Sequence, residues 1–505
     1  MTSTVPPSGP TPEASTITAT ADPAEAPTPM PAPGSSGRYR VVWRWHFYAG
    51  LFTAPVLLVL AITGAIYLFK EPFENWRYAD VRTLSAPVAT ALPLSTQIQA
   101  ALAARPGSTL DGVIPPQAPD RTTRVVMAAG DPSNPFAQGI SVYVHPGTGE
   151  VLGQIDDSAT FMRVVRTVHG ELMAGVTGDR IVETAACWAL ILVVTGAYLW
   201  WRGPARRRLP RSAWRPLKRG RLRRVHAVTG AVAGVVLVFL VLSGLPWSGF
   251  WGDNLSRLQA SIGSTSPDAA AFARESVPAK ELTANPDTAV PWAAERLPVP
   301  ADPGGGGGHG AHGSGTAGRG WSYPGSITAE RALAAAAPEA GGCRQPGCEL
   351  SVLPPAGPKG VYTVVATDVE DPALGRTVLV DQYSGKVLVD YGWEEYGLLA
   401  KAVEQGIAVH EGRRFGTANL LVMLGTCVAL ITLVVSGAWM WWKRRPRGRL
   451  AAPARTTDRR TAYGVLAVLA VLGVVFPLAG ITMVAVLSLD RLVIRRIPKL
   501  NTLIG

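Results

Sequence analysis

Apolar residues along this chain gather into blocks too long for ordinary core helices. About Trp45–Phe69, Ile181–Trp201, Val225–Leu245, Thr417–Trp442 and Tyr463–Leu489 each reach the roughly 20 residues that cross hydrocarbon. Between the first four blocks the pattern changes to short runs with an apolar residue at every second position. Ser141–His145 and Glu150–Gln154 are joined by Pro146-Gly147-Thr148-Gly149; Val361–Thr367 and Thr377–Asp381 are followed by Gln382-Tyr383-Ser384-Gly385 and Lys386–Asp390. Period-two alternation around a glycine turn predicts antiparallel hairpins, and the helical stretches Ser95–Ala104 and Thr328–Ala336 can each cover one face of them. The expected fold is a helical integral membrane protein: a duplicated two-helix unit giving four core spans, a fifth apolar segment, and two extracytoplasmic α+β modules.

The expected divisions follow the pattern. Residues 1–36, rich in Pro, Ala, Thr and Ser, read as a disordered cytoplasmic tail. Spans fall within 37–69, 169–201, 225–245 and 410–442, the second and fourth each opening on an outer interfacial segment. The modules occupy 70–168 and 246–409, the latter with a Gly/His-rich insert at 303–320. Basic loops lie at 202–224 and 443–462. The segment 463–489 is expected to cross once, with a re-entrant hairpin broken at Pro477 as the alternative, and 490–505 forms a tail.

Charge orients this layout. The net charge is +12, from 48 basic and 36 acidic residues. Arg202–Val225 holds eleven basic residues and no acidic one, and Lys443–Arg460 holds eight basic and one acidic. Short basic loops flanking apolar spans stay in the cytoplasm, so the N-terminus is expected there too and the protein in the plasma or inner membrane. The basic excess therefore speaks for lipid, not nucleic acid. A single fifth span would leave Arg491, Arg495, Arg496 and Lys499 outside, against the same rule. Of the four cysteines, Cys187 and Cys427 lie in apolar blocks, while Cys343 and Cys348 could form a disulfide on the oxidising side.

Four histidines carry matched spacings. His46 is followed by Gly50 four residues later and Gly64 eighteen later; His226 is followed by Gly230 and Gly244 at the same intervals. His169 precedes Gly196 by 27 residues and Trp201 by 32; His410 precedes Gly437 and Trp442 by the same intervals. Repeated offsets of this kind signal a duplicated unit. Topology sets His46 and His226 at the cytoplasmic boundary and His169 and His410 at the outer one, so a twofold repeat would form one His–His pair near each face. A bis-histidine pair supplies both axial ligands of a b-type haem, so two haems are expected. A proton or metal-ion route, or a structural role, would use the same residues. Gly50, Gly64, Gly230 and Gly244 are expected on helices lining the inner haem, and Gly196 and Gly437 on those lining the outer one. The same glycines would also suit plain helix packing. Glu171, Asp179 and Glu411 are outer-site candidates for substrate or proton, and Arg413 and Arg414 for propionates or an anionic ligand. His145 reads as a turn residue, and His309 and His312 as part of the glycine-rich insert.

The segments Tyr143-Val-His-Pro-Gly-Thr-Gly-Glu-Val-Leu152 and Leu379-Val-Asp-Gln-Tyr-Ser-Gly-Lys-Val-Leu388 resemble the closing hairpin of the PepSY domain. Trp43-Arg-Trp-His-Phe-Tyr-Ala-Gly50, Val168-His-Gly-Glu-Leu172 and Thr195-Gly196 through Trp201 are similar to PepSY-associated membrane proteins. The resemblance implies outward PepSY-like modules and, by likeness to some members, a di-haem reductase of ferric siderophores. No GxGxxG after a strand and no Walker loop occurs, and the cytoplasmic loops are too short for a flavin or nicotinamide domain. Electrons would have to come from a separate cytoplasmic reductase or from quinol. Two other functions fit the layout: a non-catalytic factor whose modules restrain a partner such as a secreted peptidase, and a metal-uptake permease.

Overall fold

Among the described residues of a computed structural model of the protein, five helices are long and apolar enough to cross a membrane: Gly37–Tyr67, Gly175–Arg202, Arg221–Trp247, Gly416–Arg444 and Pro477–Ile494. The structure describes residues 37–128, 139–202, 221–264, 325–337, 348–355, 360–368, 370–446, 459–494 and 496–498, with residues 2, 323 and 450. The expected tail 1–36, the insert 303–320 with His309 and His312, most of both basic loops, and Cys343 lie outside the described residues. Cys348 is disulfide-bonded, and Cys187 and Cys427 are free thiols.

Four of the helices close a ring. Helix α1 (Gly37–Tyr67) packs against α6 (Gly175–Arg202) and α11 (Gly416–Arg444); α7 (Arg221–Gly244) packs against the same two. Thus α1 and α7 stand diagonally opposite. Two shorter helices, α5 (Phe161–Glu171) and α10 (Leu398–His410), precede α6 and α11 and carry His169 and His410 in their last turns. The chain reverses after α5 through Leu172 and Met173, both with positive φ, and after α10 through Gly412 and Gly416.

The two expected modules are one sheet. Strands β1 (Leu110–Ile114), β2 (Thr123–Met127), β3 (Ile140–Val144) and β4 (Val151–Asp156) form one half. Strands β5 (Cys348–Leu353), β6 (Val361–Asp368), β7 (Arg376–Asp381) and β8 (Val387–Gly392) form the other. The order is β4-β3-β2-β1-β5-β6-β7-β8, joined where Val113 faces Val352. Each set of four strands would otherwise expose an edge at β1 or β5, and bringing the two edges together covers both. Helices α4 (Leu94–Ala104) and α9 (Ala329–Ala336) cover the same face and touch each other. There Ile98, Val125, Val142, Tyr362, Val364 and Val378 form one buried core. Ser95 ties the halves by donating its backbone N–H and hydroxyl to Glu330 at 3.1 and 2.9 Å.

The hairpin turns are built alike. In the first, His145 Nδ1 accepts from the Gly147 and Thr148 N–H groups; in the second, Asp381 Oδ1 accepts from Tyr383 and Ser384. His145 is therefore a turn residue.

The C-terminal apolar segment corrects the expected single crossing. It is two helices, α12 (Arg459–Val475) and α13 (Pro477–Leu489), broken at Phe476. A Cβ on Gly480 would lie 3.0 Å from Gly473 Cα. Seven residues of continuous helix advance roughly 10 Å, so the chain must turn back between them. Pro477 lacks the N–H that would continue α12, and it suits the first turn of α13. Phe476 rests on Trp251, ring centroids 5.8 Å apart, at the sheet end of the bundle. Further along α13, Thr482 accepts from Trp188 Nε1 at 2.9 Å. The chain thus returns toward the end where α12 began, and Arg491 goes with it.

At the sheet end, α8 (Gly249–Ser261) starts on two carboxylates of α6. Glu183, with no side-chain exposure, accepts from the Trp251 N–H at 3.0 Å and from Arg180 at 3.0 Å. Asp179 accepts from Gly249 and pairs with Arg180. The anions meet the first free N–H groups of a helix, where they are most favourable.

Candidate functional site: four histidines in the helix bundle

The four histidines share one local structure. His46 on α1 meets Thr195 on α6, and His226 on α7 meets Ser436 on α11. His169 on α5 meets Thr63 on α1, and His410 on α10 meets Ser243 on α7. All four Nδ1-to-hydroxyl distances are 2.9 Å.

The hydroxyls' own hydrogen bonds bear on which ring nitrogen holds the proton. Thr63, Thr195 and Ser243 each donate to the carbonyl one turn back, at 2.7, 2.7 and 2.8 Å, and Ser436 donates to Leu433 at 3.2 Å. A hydroxyl has one proton, and these are spent on the backbone. With the proton so placed, each hydroxyl oxygen is set to accept, which fits the tautomer that carries its hydrogen on Nδ1. That tautomer leaves the lone pair on Nε2. This is the arrangement by which a partner on one nitrogen fixes tautomer and ring direction for a metal on the other.

A glycine follows every hydroxyl. A Cβ would stand 3.2 Å from His46 Cε1 at Gly196, 3.3 Å from His169 Cε1 at Gly64, 3.2 Å from His410 Cε1 at Gly244 and 3.5 Å from His226 Cε1 at Gly437. The imidazole edges occupy the space that any side chain would fill. This reverses the expected glycine assignment. Gly196 and Gly437 back His46 and His226, while Gly64 and Gly244 back His169 and His410. The reason is the length of a crossing: eighteen residues of helix rise roughly 27 Å, so Gly64 lies at the opposite end from His46. Gly50 and Gly230 make only ordinary contacts, with Leu192 at 3.8 Å and Leu433 at 3.5 Å.

Across the ring, His46 and His226 fall within electrostatic reach of each other, as do His169 and His410. One pair sits between the diagonal helices α1 and α7; the other sits at the sheet end, with Trp247 edge-on to His410 at 6.1 Å.

The remaining candidates are dispersed. Glu411 pairs with Arg413 at 2.7 Å; burial pushes its carboxyl up, but Arg413 together with Arg166 and Lys70 holds it below the usual range. Arg414 pairs with Asp371 at 3.0 Å. Burial raises the Glu171 carboxyl, and its Oε2 has no hydrogen-bond partner. Sequence reasoning did not assign the hydroxyls, although Thr63-Gly64, Thr195-Gly196, Ser243-Gly244 and Ser436-Gly437 all carry the same dipeptide pattern.

The donor set suits haem better than a bare ion. Among the described residues, no group of three or more His, Cys, Asp or Glu is placed to hold a metal. A porphyrin supplies four nitrogens and asks the protein only for axial ligands, a role that the four imidazoles could fill. No curated protein matches the chain. The model of the PepSY-associated TM region matches residues 43–444, well over half of the chain, and the protein belongs to that membrane-protein family.

Proposed function

We propose that the protein is a di-haem electron carrier that reduces ferric chelates at the sheet side of the membrane. His46 and His226 would hold one haem b and His169 and His410 the other. The observation that carries this reading is the fourfold histidine–hydroxyl–glycine unit; with Nδ1 on the hydroxyl, each Nε2 would be the nitrogen offered to a metal. Haem iron supplies one-electron chemistry when bound. The chain's part is to hold each imidazole, keep its tautomer, and exclude water with apolar helices.

The matched units are best understood as a duplication of a two-helix element. The basic loops would face the cytoplasm and the sheet the outside. The helical hairpin α12–α13 would return Arg491 to the side of the basic loops, which removes the conflict with the charge rule. Electrons would enter from a separate reductase or from quinol. Reduction would free iron because Fe(II) binds hard oxygen donors more weakly.

The test is a reduced-minus-oxidised absorption spectrum of the purified protein, with haem quantified as its pyridine complex. Two b haems per chain are expected. None, after expression with ample haem, would refute the proposal and turn attention to binding of a partner peptidase or to metal transport.

A further inference from the structure

A cavity of about 460 Å³ lies where the first half of the sheet meets the bundle. Its basic residues come from three helices and from the sheet side. Helix α2 (Lys70–Arg77) and α3 (Ala79–Arg82) contribute Lys70 and Arg82. The sheet side contributes Arg121 and Arg124, and α5 contributes Arg163 and Arg166. Four carboxylates also line it: Glu71, Glu74, Asp157 and Glu349. Six cations against four carboxylates leave an excess of two positive charges even with every carboxyl ionised. Two of the carboxylates are already engaged, Glu74 with Arg82 at 3.1 Å and Asp157 with Arg124 at 3.2 Å.

The cavity adjoins the sheet-end histidine pair. Tyr67, on its wall, lies one turn beyond Gly64, and Arg166 lies one turn before His169, where Gly64 and His169 touch. Arg166 and Lys70 also act electrostatically on Glu411, the neighbour of His410. The cavity's size is that of a small-molecule site. A recess with a basic lining focuses its field on oxygen anions, and arginines grip them through paired N–H groups.

We propose that this cavity binds a ligand by its anionic oxygens, as a negatively charged metal chelate next to the sheet-end histidines. The proposal names the substrate class for the reading above and rests on it for the chelate's role, though binding itself needs no electron transfer. A haem propionate offers the same chemistry, and the experiment separates the two.

The full chain in lipid nanodiscs is titrated with gallium(III) dicitrate, which cannot be reduced, and with an uncharged gallium(III) tris-hydroxamate. Haem is quantified in every sample. The dicitrate should bind, more weakly at high salt, and the neutral chelate much less. Arg121→Ala should weaken dicitrate binding about tenfold with haem intact, the scale of one charge-assisted hydrogen bond. The Arg163→Ala/Arg166→Ala double variant should weaken it further. Dicitrate binding unchanged in both variants overturns the proposal, as does loss of haem in the double variant with binding retained, which would assign those arginines to propionates. Loss of both in the double variant is decided by Arg121→Ala: weakened binding supports the cavity, and unchanged binding refutes it. Dicitrate binding to a wild-type protein without haem upholds the cavity and refutes the electron carrier; haem without dicitrate binding does the reverse.

Discussion

The two halves of the chain agree inside the bundle and differ beneath the sheet. Within the bundle, each half sets two histidines on Ser/Thr hydroxyls at 2.9 Å, each with a glycine behind the ring. Beneath the sheet, the residues six and three before His169 are Arg163 and Arg166, which line a basic cavity; the residues six and three before His410 are Glu404 and Ile407, both buried. Tyr67 on the cavity wall likewise corresponds to Trp247, which packs on His410. Ligating an iron at each level needs the same geometry from both halves. Admitting a ligand needs an opening on one side only, and the other side can be filled for stability. On the proposed function, the shared part would hold the electron path and the differing part would meet the substrate.

The largest expected effect tests the agreement between halves. His46→Ala and His226→Ala should each remove the same one of two haems, and His169→Ala and His410→Ala the other, so that each halves the haem recovered per chain. Loss of different haems by His46→Ala and His226→Ala would break the pairing.

Next comes the space behind the rings. Gly64→Leu and Gly196→Leu put a side chain within 3.3 and 3.2 Å of the His169 and His46 rings. Overpacking of 1–3 kcal/mol is expected, lowering haem occupancy at the matching site about tenfold, whereas Gly425→Leu, at a glycine with nothing within 4 Å, should keep both haems. Equal losses in all three would mean that the glycines serve only general helix packing.

The hydroxyls come third. Thr63→Val removes the acceptor from His169 Nδ1, and such outer partners are worth about tenfold or more in metal affinity. The ring would also lose basicity, so the midpoint potential of the sheet-end haem should rise, while Thr63→Ser should restore it. Redox titration reads both; an unmoved potential with normal haem content would remove the tautomer argument.

The smallest effect sharpens the difference between halves. Burial pushes the Glu349 carboxyl up, while Arg124 pulls it back and Glu71 raises it further; Lys70 and Arg82 also oppose the rise. Below its raised pKa the group is neutral and the cavity gains positive charge; above it, a carboxylate repels an anionic ligand. Affinity for gallium(III) dicitrate should therefore fall as pH rises through that window, by on the order of threefold. Glu349→Gln should flatten the profile relative to wild type. Identical profiles would show that Glu349 does not face the ligand.

Much of this was legible before folding was considered. The apolar blocks announce the spans because the bilayer demands unbroken apolar length. His46, His169, His226 and His410 stand out because their intervals to Gly and Trp recur. The hairpins at Tyr143–Leu152 and Leu379–Leu388 were readable from alternation and turn residues. The C-terminal segment was harder, since Pro477 is compatible with a kink or a reversal, and only the close approach of Gly473 and Gly480 decides for reversal.

What the sequence determined by itself was therefore local and periodic: which segments are apolar enough to cross, where chains turn, and which histidines are equivalent. Tertiary structure alone decided which hydroxyl meets which histidine, because helices running in opposite directions bring residues far apart in sequence to the same depth. It also decided that the β1 and β5 edges merge two modules into one sheet. The cavity belongs to this second class. Its six cations come from helices α2, α3 and α5 and from the sheet side, with no common spacing. Charges scattered along a chain acquire a shared field only when packing gathers them around one space of low dielectric.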